Sequence, residues 1–253
     1  MTVIEITVPT PDGDCTASLH TPVGTGAGGR SSWPAVILYP DAGGPRAVLR
    51  DMADRLASSG YAVLLPDVYY RTPGWAPFDV ATVFGDPDER ARLMGMVRSV
   101  TAEMYRSDVD AFLDVLSTRA EVAGEKIGTT GYCMGGRASM IVAAHRPDRI
   151  AATASFHGGG LGAEGDPDAP YRRAGDIRST VYVAGATNDD SFTDADRERL
   201  ETALTEAGVA HTVETYPAAH GFSVPDNPTF DDAAAERHWT ALTSLYAEAL
   251  PRP

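Results

Sequence analysis

A chain of 253 residues, 43% of them hydrophobic, can bury one full core, and it reads as a single α/β domain over residues 1–253. Its formal net charge of -14, from 21 Lys plus Arg against 35 Asp plus Glu, argues against a nucleic-acid or anionic-membrane partner, since either needs a basic surface. The amino-terminal MTVIEITVPTPDGD holds no basic region followed by an apolar run, so neither a secretory signal nor a transmembrane segment is expected, and a cytoplasmic location is the default.

Thr2 to Val8 and Cys15 to His20 alternate as strands around Pro11-Asp12-Gly13, which predicts a leading hairpin with Cys15 as a small sheet residue. In a reducing compartment a disulfide between Cys15 and Cys133 is not expected. The six histidines show no metal-ligand spacing, so no metal and no cofactor is expected. Gly24 to Ser32 is Gly-rich and polar, hence a surface loop, and no helix start follows its Gly-x-Gly elements as a phosphate loop requires. Trp33 to Tyr39 is a continuous apolar run, the mark of a strand buried on both faces of a parallel sheet. It ends at Pro40-Asp41-Ala42-Gly43-Gly44-Pro45, ahead of a helix from Arg46 to Ser59 with Val48, Leu49, Met52 and Leu56 on one face.

Tyr61 to Asp67 is a second buried strand, and Asp67 to Asp86 a long irregular loop of the kind that is functional or mobile. Asp86 as N-cap, Pro87 at the first position and Glu89 closing a capping box start a helix. Ser107 to Arg119 follows with Val109, Phe112, Leu113 and Leu116 at helical spacing. Lys126 to Thr130 is strand-like and Arg137 to His145 helical; Ile150 to Phe156 is a strand that runs into His157-Gly158-Gly159-Gly160. His157 stands open between contacting a ligand and being a loop histidine satisfied by backbone. Thr180 to Ala184 is a strand leading to Asn188-Asp189-Asp190, and Thr193 caps a helix to Ala207. Ala210 to Tyr216, the last strand, delivers Ala219-His220-Gly221-Phe222. A closing helix, Asp231 to Leu250, puts Trp239, Leu242, Leu245 or Tyr246, and Leu250 on one stripe. Alternation of this kind predicts a mostly parallel sheet of about seven to eight strands with helices on both faces.

The chemistry centres on Gly131-Tyr132-Cys133-Met134-Gly135-Gly136. A cysteine placed between small residues where a strand hands over to a helix reads as a nucleophile elbow, with the helix N-terminus favouring a thiolate. The competing reading is a small buried hydrophobe on a tight packing turn. Downstream come the acidic cluster and then His220, the chain order of nucleophile, acid and histidine found in α/β-hydrolases. In that layout the loop after the Trp33 to Tyr39 strand supplies one oxyanion N–H and the residue after the nucleophile the other, here Ala42 and Met134. An ordinary Gly/Pro turn into the following helix is compatible with that role.

With the elbow, the segment Gly60 to Asp67, His157-Gly158-Gly159-Gly160, Asn188-Asp189 followed by Phe192, and Ala219-His220-Gly221-Phe222, the chain resembles the dienelactone hydrolase family over most of its length. The resemblance implies Cys133 as nucleophile, His220 as base and then proton donor, and Asp189 as the carboxylate that orients His220, with Asp190 the rival. It implies no cofactor, and an ester or lactone substrate. A nucleophile-modulating carboxylate of the family, a glutamate in the type enzymes, falls at Asp41, and the Gly43-Gly44 pair favours its packing against the elbow. An arginine of the type enzymes that binds a substrate carboxylate is replaced by Val224; a second would fall at Arg92 or Arg90. Three readings stay open: a dienelactone-type ester hydrolase, a broader esterase or thioesterase for an uncharged acyl group, and a non-catalytic binding or thiol-redox protein on the same scaffold.

Overall fold

The computed structural model describes residues 1–23 and 31–250, so most of the Gly-rich loop read at Gly24 to Ser32 lies outside the described residues. Strands β1 (Thr2–Thr10) and β2 (Gly13–Thr21) form the expected hairpin, paired from Thr2↔Thr21 to Thr10↔Gly13. Pro11 and Asp12 make the turn, and Gly13 follows at φ 126°, a conformation that glycine adopts without strain. Further strands are β3 (Trp33–Tyr39), β4 (Ala62–Pro66), β5 (Val122–Tyr132), β6 (Ile150–Phe156), β7 (Thr180–Ala186) and β8 (His211–Tyr216). They form one sheet in the order β1-β2-β4-β3-β5-β6-β7-β8, antiparallel through β2 and parallel from β4 onward. This is the α/β-hydrolase fold.

Both faces are covered, and the period-2 alternation of the strands decides what each residue meets. Val36, Leu38, Val63 and Leu65 pack with Leu49, Met52 and Leu56 of α1 (Ala47–Ser58) and Trp239, Leu242 and Tyr246 of α6 (Asp232–Ala249). Their neighbours Ala35, Ile37, Tyr39 and Leu64 pack with Val109, Phe112 and Leu113 of α3 (Ala102–Ser117) and Ile141 and Val142 of α4 (Met134–His145). Met140 of α4 and Leu200 and Leu204 of α5 (Asp194–Glu206) join Val181 and Val183 in a third cluster.

Two boundaries and one cap differ from expectation for physical reasons. Helix α3 starts at Ala102, five residues early, because the Thr101 hydroxyl accepts from Met104 N–H and Tyr105 adds to the buried stripe. Strand β5 extends back to Val122, since Trp33 and Pro34 of β3 pair with its first residues across a register shift. In α2 (Pro87–Ser99), Asp86 caps as read, accepting from the N–H groups of Asp88 and Glu89, but Glu89 does not close a capping box. Its carboxylate takes Arg92 instead. A full capping box occurs at α5, between Thr193 and Asp196. The 67–86 loop is packed: Phe78, Val83 and Leu93 cluster under Ala42 and Met96, and Phe78 N–H donates to Gly43 O at 3.1 Å. No helix among the described residues is long and apolar enough to cross a membrane.

Candidate active site

Tyr132 ends β5 and Met134 begins α4, so Cys133 alone makes the turn between them. It sits at φ 55°, which costs a non-glycine residue on the order of 1 kcal/mol and aims its side chain out of the sheet top. Its N–H donates to Phe156 O at 3.1 Å, and its carbonyl accepts from Gly136 N–H at 3.0 Å. The flanking glycines are required by contact. A Cβ on Gly131 would overlap the Gly135 carbonyl, one on Gly135 the carbonyls of Tyr39 and Pro40, and one on Gly136 would stand 2.6 Å from Ser155 Oγ. Cys133 is partly exposed, whereas Cys15 is buried, and both are free.

His220 arrives on the segment after β8 and Asp189 on the turn after β7, where Asn188 adopts φ 55°. His220 Nδ1 and Asp189 Oδ2 lie 2.6 Å apart. The other Asp189 oxygen accepts from Ser191 N–H at 2.9 Å and Ser191 Oγ at 2.6 Å. Asp190, by contrast, is exposed. Burial works to raise the Asp189 pKa, but the hydrogen bonds from His220 and Ser191 prevail and hold it at about 2. Burial likewise lowers that of His220, yet the neighbouring Cys133 and the hydrogen bond to Asp189 outweigh it and push it up to about 10. Ser191, which completes Asp189's coordination, gave no sequence signal beyond its place next to the acidic pair.

His157 is 1% exposed, at φ 40°, with Nε2 2.8 Å from Ser223 Oγ. Its ring meets His220 edge-on, centroids 5.0 Å apart, and Phe222 at the same distance. Burial, reinforced by the neighbouring His220 and His238, holds it neutral. It is thus fixed by a side-chain hydroxyl and buttresses the His220 ring.

A cavity of about 360 Å³ opens over Cys133, His157 and His220, lined further by Asp41, Ala42, Gly43, Val80, Phe84, Leu93, Gly221, Asn227, Pro228 and Thr229. Among the described residues no cluster of His, Cys, Asp and Glu is arranged to hold a metal ion. A Ser-His-Asp relay outside the lining of this cavity runs from Ser18 Oγ to His20 Nε2 at 2.8 Å and from His20 Nδ1 to Asp54 Oδ1 at 2.8 Å. Ser18 is 1% exposed in mid-strand, its residue paired with Glu5 on one side and Leu65 on the other. With the strand backbone bound on both sides and no turn to present the hydroxyl, that relay satisfies a buried histidine.

A model of the dienelactone hydrolase family matches residues 20–250. The chain belongs to the dienelactone hydrolase family. It is 30% identical over 249 residues to a protein of Synechocystis sp. provisionally named carboxymethylenebutenolidase, covering 97% of this chain and 96% of that one. To the carboxymethylenebutenolidase of a Pseudomonas sp. it is 27% identical over 210 residues, covering 81% and 80%. A Klebsiella pneumoniae structure provisionally named dienelactone hydrolase shares the fold at a TM-score of 0.82 and 23% identity, covering 98% of each chain. The family is one of ester hydrolases, and this member is a carboxylic ester hydrolase.

Against the family resemblance, the charged residues are placed otherwise than expected. Asp41 lines the cavity, but its hydrogen bonds go to Gly43 N–H at 2.9 Å and to Arg46 in bidentate fashion at 2.6 and 2.9 Å, not to the sulfur. Arg46 also grips Asp226 through two bonds of 2.7 Å. The Arg46 and Asp41 side chains are only 9% and 7% exposed, so removing the cation leaves a buried carboxylate unpaired. Arg46→Met should therefore cost about 3 kcal/mol in denaturant unfolding. Arg90 is exposed, and Arg92 stacks on Phe78 at 3.8 Å while pairing with Glu89; neither lines the cavity. Val224 is fully buried.

Proposed function

We propose that the protein hydrolyses activated carboxylic esters, enol lactones among them, through an acyl-Cys133 intermediate. The single observation that carries this reading is the His220–Asp189 pair, 2.6 Å apart, set beside a cysteine on a strained strand-to-helix turn within one cavity. The Cys133 thiolate attacks the carbonyl carbon while imidazolium His220 holds the proton. The oxyanion is received by the N–H groups of Ala42 and Met134. Met134 is the first residue of α4, so its N–H has no acceptor within the helix, and Ala42 lines the cavity. Collapse expels the alkoxide or enolate, which takes the proton from His220. The neutral imidazole then takes a proton from water, which attacks the thioester, and collapse expels the Cys133 thiolate beside imidazolium His220, the starting pair. Leaving groups that need little protonation, as in enol lactones and aryl esters, suit a nucleophile of this kind.

Intact-mass analysis of enzyme quenched during turnover of an aryl ester should show one acyl adduct, carried on the peptide that holds Cys133. Adduct on any other residue, or none under burst conditions, would remove the covalent route. Asp189→Asn deletes the carboxylate that raises the His220 pKa. The His220 limb of the pH profile for kcat/KM should then move to lower pH, and turnover fall by about 10²- to 10⁴-fold. An unmoved limb would mean that Asp189 does not govern His220.

A further inference from the structure

Building on the hydrolase reading, we propose that the acyl group taken by this site is uncharged and apolar, and that a substrate carboxylate is selected against. The wall facing Cys133 is built from Val80, Phe84, Leu93 and Pro228, with Asn227 and Thr229 as its neutral polar members. Among the described residues no lysine or arginine lines it, and its one fixed carboxylate is Asp41. The guanidinium paired with the lining Asp41 is that of Arg46, and it has no hydrogen left to offer. Nε binds Asp226, one terminal nitrogen binds Asp41 and Gly44 O, and the other binds Asp41 and Asp226, which engages all five N–H donors. An incoming carboxylate would have to displace one of two carboxylates already in place. Arg92 is turned onto Phe78 and Glu89, and Arg137 onto Gly160 O and Asp166. The position where an arginine was expected four residues after His220 is the buried Val224. A substrate anion seated here is desolvated with no lysine or arginine free to meet it, His220 being already engaged by Asp189, while an alkyl or aryl group fills apolar wall.

The test compares p-nitrophenyl butyrate with mono-p-nitrophenyl succinate, which differ by a carboxylate in place of the terminal methyl. The expected ratio of kcat/KM is about 100-fold in favour of the butyrate, carried chiefly by KM. Phe84, 55% exposed at the rim, tolerates substitution, and Phe84→Arg should narrow that ratio about tenfold by supplying the missing cation. Equal or faster cleavage of the succinate by wild type would overturn the proposal. Should neither ester be cleaved, the hydrolase reading fails, and the pocket is then judged by protection of Cys133 from iodoacetamide. Protection by the butyric p-nitroanilide at lower concentration than by the succinic one upholds an apolar site, and the reverse order sinks it.

A separate observation assigns a role to Tyr69. Its hydroxyl lies 3.0 Å from Ala42 O and 3.1 Å from Met134 Sδ, so its one proton is shared between the 40–45 loop and the first residue of α4, the two segments that hold the proposed oxyanion donors. The ring is 1% exposed and wedged edge-on against Trp75 at 5.0 Å. We infer that Tyr69 is a positioning residue for the oxyanion site, again on the hydrolase reading. Tyr69→Phe keeps the ring and removes the tie. It should lower kcat/KM for an aryl ester about tenfold, and weaken butanal, which adds across Cys133 S–H as a hemithioacetal, by a similar factor. Alkylation by iodoacetamide forms no oxyanion and should be unchanged. Loss of alkylation in step with the other two, or no loss of butanal affinity, would overturn the assignment.

Discussion

Cys133→Ala is expected to lose about 10⁴- to 10⁶-fold in turnover of any ester the wild type cleaves, with the fold intact. The residual rate would come from binding and the oxyanion donors alone. The same side chain should be the sole site of stoichiometric alkylation. Cys15 is fully buried, its Sγ donates to Asp67 O at 3.4 Å, and burial together with Asp108 and Asp67 pushes its thiol pKa up, so it is a poor nucleophile. Cys15→Ala should leave turnover within about twofold of wild type. A Cys133→Ala protein that kept most of its rate would end the covalent reading and return the cavity to an unassigned chemistry.

Gly135→Ala is the backbone counterpart, and the next largest effect. Gly135 lies in the first turn of α4, where alanine is the better helix former, so propensity alone predicts a gain of about 1 kcal/mol. The packing predicts the opposite. The added Cβ would meet the carbonyls of Tyr39 and Pro40, backbone atoms that can yield only by moving the 40–45 loop away from the elbow. The cost should be about 1–3 kcal/mol in stability. Because Ala42 rides on that loop, the expected fall in kcat is about 10²-fold beyond any change in KM. Gly95→Ala, in exposed α2 with nothing near its added Cβ, is the matched control and should gain a few tenths to about 1 kcal/mol without touching activity. Equal behaviour of the two variants would show that the elbow and the loop do not pack as tightly as the glycine demands.

By itself, the order of residues determined the features that arise within a few positions of one another. The strand-to-helix change around Cys133, the small residues beside it, the caps at Asp86 and Thr193, and the apolar runs of β3 and β4 are all encoded by local period and local sterics. So is the chain order that made Asp189 and His220 candidates together. Tertiary structure alone decided which partner each charged group takes. Asp189 rather than Asp190 meets His220 because the turn at Asn188 directs one carboxylate inward and leaves the other exposed. Asp41 was expected against the sulfur, yet it binds Arg46, five residues on, which is itself locked by Asp226 from the far end of the chain. Arg92 has the right spacing for a ligand contact, but its guanidinium is taken by Phe78 and Glu89 and does not line the cavity. Periodicity reports how buried a position is. A charge, however, is satisfied by whatever group the packed elements bring within 3 Å, and that is a property of contacts between segments that no window of sequence contains.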